Sequence, residues 1–199
     1  MDFTGAATPL AAADVVSEAN AIGCEPAAVW AVCDVESAGT GFLPDRRPRL
    51  LFEAHVFGKL TRHRYDASHP NISSPVWNRA LYGAPGAHQY DRLAAAIPLD
   101  RTAALEAASW GMFQILGLNY LQCGFTGVED YVAAMCESEA RQLAAFAEFC
   151  RRGGLERFLR AQDWVRFALR YNGPAEADNG YDDELAAAYA RRASVKNAS

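Results

Sequence analysis

No stretch of this 199-residue chain is dense in lysine or arginine, and its net charge is −5. A nucleic-acid partner is therefore not expected. No run of about 18 uncharged apolar residues occurs, which excludes a membrane-spanning helix of ordinary length and with it membrane insertion. The N-terminal stretch MDFTGAATPLAAADVVSEAN has neither a basic leader nor a continuous apolar core, so it does not read as a secretory signal. Cysteine is sparse and odd in number: Cys24, Cys33, Cys123, Cys136 and Cys150, with no C-x-x-C pair. That pattern speaks against a complete disulfide framework and against a metal site. It fits buried thiols in a protein made in a reducing compartment. His55, His63, His69 and His88 show no ligand spacing, so no metal is expected and they read as structural or surface groups. Internal repeats, linkers and low-complexity blocks are also missing.

What the chain does have is hydrophobic mass, 51% of its residues, and a great deal of alanine. This suits one mainly α-helical domain over residues 1–199 with a real core. Thr8-Pro9 reads as an N-cap followed by proline, opening a helix that runs to Ile22 and stops at Gly23. Pro26 opens a second helix reaching Glu36 or Ser37, ended by Gly39 and Gly41. Phe42 to Glu53 reads as a small β-hairpin around Pro44-Asp45-Arg46-Arg47. Residues 61–98 form a long excursion with short helices. Asp100 caps a helix through Ala108, and Thr126 with Glu129 matches a capping box. The last helices carry Leu143, Phe146 and Cys150, then Trp164, Phe167 and Tyr171, then Asp182 to Ala193.

One acid stands out. At 100° per residue Val29, Val32, Cys33 and Glu36 share a stripe, while Asp34 points away. Desolvation on that face and the negative end of the helix both disfavour a charged Glu36. Neither helps folding, but both suit a general acid that must hold a proton. Glycosidic cleavage usually needs two carboxyls across a cleft. Asp45, at the hairpin tip, and Glu53, after the apolar run Leu50-Leu51-Phe52, are both candidates for the second, and spacing does not choose between them. Asp45 also reads as a turn residue paired with Arg46 or Arg47, and Glu53 as a helix-start acid.

Several segments are similar to those of phage endolysins of the N-acetylmuramidase family. Val35 to Phe42 resembles the family's V-E-S-x-G-x-G-F, and Arg49 to Phe57 its L-F-E-x-H-x-F. Tyr65 to Pro70, Ala108 to Gly117 and Tyr171-Asn172-Gly173-Pro174 also match, in order, across residues 10–190. One departure is visible: the family reads P-D-G-R where this chain has Pro44-Asp45-Arg46-Arg47, so the turn holding Asp45 is expected to differ, because glycine tolerates positive φ and arginine does not.

The resemblance implies a lysozyme-like α fold with a central cleft, no cofactor, and hydrolysis of the β-1,4 bond between N-acetylmuramic acid and N-acetylglucosamine, with Glu36 as the acid. Gln114 becomes an amide for acetamido or hydroxyl groups. Gly111, beside Ser109, would let sugar approach the backbone, and Tyr171 and Asn172 would line the cleft, although Ser109-to-Gln114 also reads as a buried helix start and Asn172-Gly173 as a plain helix end. The partner would be the peptidoglycan glycan strand, the enzyme a monomer without a separate wall-binding domain. It would be made in the cytoplasm and reach the wall after the membrane is breached. A lytic transglycosylase, also lysozyme-like in architecture, and a non-catalytic glycan-binding domain are the rival readings.

Overall fold

Proline and glycine divide the chain much as its sequence suggests. The computed structural model describes residues 2–36, 40–173 and 180–196. The expected helix end at Ser37 and Gly39, and Pro174 of the Tyr-Asn-Gly-Pro segment, lie outside them. Helix α1 (Ala12–Ile22) closes on Gly23, whose φ of 79° turns its N–H back onto the carbonyls of Ala19 and Asn20. Its start differs from the Thr8-Pro9 expectation. Asp14 Oδ2 accepts from Ala11 N at 2.9 Å and fixes the first turn there. Thr8 instead pairs with Ser138 in a parallel bridge, a tertiary contact that the local pattern could not announce. Helix α2 (Pro26–Glu36) follows, packed between α1 and the C-terminal helix.

The hairpin expected over 42–53 is split in two. Phe42 and Pro48 form a lone bridge around the Pro44–Arg47 turn. Strand β1 (Leu50–Phe52) leaves to pair with β2 (Ala108–Trp110), and β2 pairs with β3 (Ile115–Leu116), all antiparallel. Leu50 and Phe52 are buried, so their backbone groups need partners inside the protein, and the exposed turn offers none at that depth. This pairing also shortens the next expected helix. Asp100 caps it as anticipated, accepting from Ala103 N at 3.1 Å, but Ala108 is opposite Phe52 in the sheet.

Between β1 and β2 lie α3 (Ala54–Leu60), a 3₁₀ turn at Arg79–Leu81, α4 (His88–Ala96) and α5 (Arg101–Glu106). After β3 come a 3₁₀ turn at Gly117–Asn119, then α6 (Val128–Glu137), α7 (Glu139–Gly153), α8 (Glu156–Ala161), α9 (Trp164–Asn172) and α10 (Tyr181–Lys196). The Thr126–Glu129 capping box does not form. Gly127 is the cap residue, and Glu129 is drawn into a two-pronged ion pair with Arg101 at 2.6 and 2.9 Å. Val29, Val32, Phe52, Phe57, Trp110, Tyr131, Phe146 and Phe167 form one continuous core. Each buried side chain of this size contributes about 1.5–3 kcal/mol.

Candidate active site

Val29, Val32 and Cys33 are buried as the stripe predicts, and Glu36 is half-buried at the carboxyl end of α2. Asp34 is on the other side, in an ion pair with Arg192 of α10, whose guanidinium also covers the Trp30 ring. Glu36 faces a hollow of about 230 Å³ shared with Phe113, Gln114, Asn119, Phe149 and Tyr171. Tyr181, the first residue of α10, donates its hydroxyl to Glu36 Oε1. Neither Tyr181 nor Asn119 carries a local sequence signal; the fold alone brings them here.

Tyr171 forms a wall of this hollow. Its ring stacks on Phe167 at 5.4 Å and meets Phe146 and Phe149 edge-on, while its hydroxyl donates to the Phe113 carbonyl at 2.8 Å. Burial, and then the charge of Glu36, push its phenol far above the usual range, so it remains a neutral donor. Gln114 sits in a left-handed turn, φ 47°, with its amide nitrogen donating to Gly111 O at 2.8 Å.

The anticipated helix start at Ser109–Gln114 is strand β2 and the turn into β3. Ser109 is buried within the sheet, opposite Leu51 and Leu116. The missing side chain of Gly111 admits a protein group: a Cβ there would lie 2.7 Å from the Gln142 amide, and one on Gly41 2.0 Å from it. Gln142 is 1% exposed; its oxygen accepts from Met112 N at 2.7 Å and its nitrogen donates to Met135 O at 2.8 Å. One turn earlier on α7, buried Glu139 accepts from Gly41 N at 2.7 Å, Thr40 Oγ1 at 3.0 Å and Leu10 N at 2.8 Å. Helix α7 thus pins both Thr40 and Gly41 and the turn that carries Gln114. The side chain of Asn172 lies outside the described residues.

The two candidate second acids have different surroundings. Asp45 is 45% exposed at the hairpin tip, clamped by Arg47 at 2.6 and 2.8 Å. That hydrogen bond holds its carboxyl below the usual range, and Arg47 in turn covers the Tyr90 ring. Arg46, at the family's glycine position, keeps the left-handed conformation with φ 66°. The residue changed without abolishing the glycine-type turn. Glu53 stands at the amino end of α3 and lines no part of the Glu36 hollow among the described residues. Its Oε2 accepts from Tyr82 Oη at 2.6 Å and lies 3.4 Å from His55 Nδ1. Arg92, buried behind it, is depressed by desolvation and held up by the Glu53 charge.

A larger hollow of about 440 Å³ beside α7 is lined by Arg141, Glu148 and Arg152. Glu148 pairs with Arg151 and Arg152, and Arg141 with Glu137, so its charges are already engaged. Among the described residues no group of His, Cys, Asp and Glu is placed to hold a metal ion, and no helix is long and apolar enough to cross a membrane. Four of the five cysteines are buried, and burial pushes the thiols of Cys33, Cys123 and Cys136 up to about 12.

A family model described as N-acetylmuramidase matches residues 25–193. The chain is also similar to the endolysin of Burkholderia phage AP3, known from its crystal structure, with a TM-score of 0.87 and 39% identity over 94% of this chain and 72% of that one. No curated protein matches.

Proposed function

The chain belongs to the N-acetylmuramidase family, glycoside hydrolases of the lysozyme type that act on peptidoglycan, and from that premise we propose that it is an endolysin in which Glu36 is the general acid. The observation that carries this reading is the position of Glu36: the one polar member of a buried stripe, at a helix carboxyl end, facing a hollow with Gln114 and Tyr171. The stripe and the helix end favour the protonated carboxyl before reaction. Tyr181, donating to Oε1, favours the anion left once the proton has passed to the glycosidic oxygen. The acid is thus held in one orientation in both states. Gln114, Asn119 and Tyr171 bind and orient the sugar beside it. Glu53, hydrogen-bonded by Tyr82 and backed by Arg92, serves as the second carboxylate that steadies the oxocarbenium-like transition state or orients water. The bond broken is the β-1,4 link between N-acetylmuramic acid and N-acetylglucosamine. The enzyme reaches it from the cytoplasmic side once the membrane is breached.

One observation favours a second reading. Among the described residues Glu36 is the only carboxylate lining the hollow. A lytic transglycosylase needs a single acid/base and no activated water. The product decides: digestion of purified peptidoglycan is expected to yield reducing muramic acid ends, and 1,6-anhydro ends would establish the transglycosylase instead. Lysis of permeabilised cells by Glu36→Gln at more than about a tenth of the wild-type rate would remove Glu36 from either mechanism, since losing a general acid costs about 10²–10⁴-fold.

A further inference from the structure

Beyond Glu53 the hydrogen-bond chain continues to the surface. Tyr82 donates to Glu53 Oε2 at 2.6 Å and accepts from the indole nitrogen of Trp77 at 2.7 Å. The two rings meet edge to face, centroids 6.3 Å apart. Trp77 is nonetheless 59% exposed, and its neighbour Val76 is 65% exposed. An indole whose only polar atom is already satisfied inside the protein presents a purely apolar face to water, and such a face next to a second apolar side chain marks a contact surface. Scattered aliphatics such as Val16 or Val165 are exposed too, but no hydrogen-bond chain of this kind joins them to a carboxylate.

The platform is also pre-organised. Buried Ser74 donates to Val76 O at 2.7 Å, its own N–H is held by Ala54 O at 3.1 Å, and Asn78 caps the following 3₁₀ turn through Ala80 N at 3.0 Å. Gln89, buried on α4, ties the far side down: its amide nitrogen donates to Tyr82 O at 2.7 Å and Ala84 O at 2.8 Å, while its oxygen accepts from Phe52 N at 3.1 Å. Ring, phenol and carboxylate therefore hold one geometry before any ligand arrives, which lowers the entropic cost of binding.

We propose that Trp77, supported by Val76 and Tyr82, is a stacking subsite for an N-acetylhexosamine ring of the glycan strand, on the Glu53 side of the active centre. The occupant follows from the chemistry. A pyranose offers a C–H face and an acetamido methyl to an aromatic ring, and continuity through Tyr82 to Glu53 places that sugar next to a group already assigned to the reaction. The inference rests on the muramidase reading above. Trp77 binds and orients; it takes no part in proton transfer.

The test uses the full chain carrying Glu36→Gln, titrated with tetra-N-acetylchitotetraose while intrinsic fluorescence is followed. Trp110 and Trp164 are buried and Trp30 is partly buried, so Trp77 is the most exposed indole. A saturable fluorescence change is expected, lost in the Trp77→Ala double variant together with an about tenfold weaker Kd by calorimetry, and largely retained in Trp77→Phe, because one aromatic contact contributes on the order of a factor of ten. In the otherwise wild-type enzyme, Trp77→Ala is expected to raise KM for soluble glycan about tenfold and leave kcat within about threefold, the signature of lost ground-state binding. Equal sugar affinity with and without Trp77 overturns the subsite, as does absence of any binding to the Glu36→Gln protein. Loss of self-association in Trp77→Ala, with sugar binding unchanged, would instead assign the face to a second copy of the chain. A Glu36→Gln enzyme that still lyses cells would sink the acid assignment alone, since the fluorescence titration still reads Trp77.

Discussion

Glu36 stands at the carboxyl end of α2, whereas Glu53 stands at the amino end of α3. Around the first are Val29, Val32, Cys33 and the donating hydroxyl of Tyr181; around the second are Tyr82, His55 and the guanidinium of Arg92. A helix carboxyl end and an apolar face disfavour a negative charge, and only Glu36 has both; a phenol donates to each of the two carboxylates and so does not distinguish them. On the proposed reading these two glutamates divide the work as paired carboxyls do, one as acid and one as stabiliser. Asp45 belongs to neither pattern. It is an exposed turn acid whose partner, Arg47, is two residues away.

The contrast is broken most severely at the acid itself. Glu36→Gln is expected to fold normally and lose about 10²–10⁴-fold in lytic rate, because the amide fits the space but has no proton to give. Circular dichroism and turbidity loss on permeabilised cells read both halves of that statement. Glu53→Gln is expected to cost about 10²-fold in kcat, the scale of a lost electrostatic contact to the transition state, and much more than Asp45→Asn does. If Asp45→Asn were inactive and Glu53→Gln active, the hairpin acid would be the partner and the comparison drawn here would invert.

Tyr181→Phe sharpens the Glu36 side. The ring still fills its buried place, so the melting temperature should hardly move. Loss of one hydrogen bond to a carboxylate should lower kcat about tenfold with KM within about twofold. A variant that melts early but turns over normally would make Tyr181 a packing residue only.

Asp45→Asn tests the turn. The Arg47 hydrogen bond depresses the folded Asp45 carboxyl, so its contribution is present above the unfolded value near 3.8 and is lost as pH falls through the lower folded one. For so exposed a pair the cost of Asp45→Asn at neutral pH should be at most about 0.5 kcal/mol. In denaturant titrations that difference between wild type and variant should shrink as pH falls below 3.8. Arg46→Gly has the opposite sign. Relief of the left-handed arginine should stabilise the protein by about 0.5–1 kcal/mol, with activity unchanged. Destabilisation would mean that contacts of the Arg46 side chain outweigh its backbone cost.

Much of this was legible in the residues. The stripe Val29-Val32-Cys33-Glu36 has a helical period, and period alone put the acid on the apolar face. Pro26, Gly23 and Asp100 act within a turn of themselves, so they marked helix ends correctly. Thr8-Pro9 and Thr126 failed for the same physical reason: a competing long-range partner, Ser138 for one and Arg101 for the neighbouring Glu129, outbid the local cap.

By itself the sequence determined a mainly helical domain, an acid on a buried face, and a set of polar groups around the Ser109–Gln114 and Tyr171 motifs. Tertiary structure decided which of those groups meet. It sent Leu50–Phe52 to Ala108–Trp110 rather than back along its own hairpin, filled the space at Gly41 and Gly111 with Gln142, and brought Tyr181 to Glu36 from the far end of the chain. The reason is one of range. Periodicity, caps and turns are fixed by neighbours within a few residues, whereas buried backbone and carboxylate groups must find hydrogen-bond partners wherever the packed core supplies them.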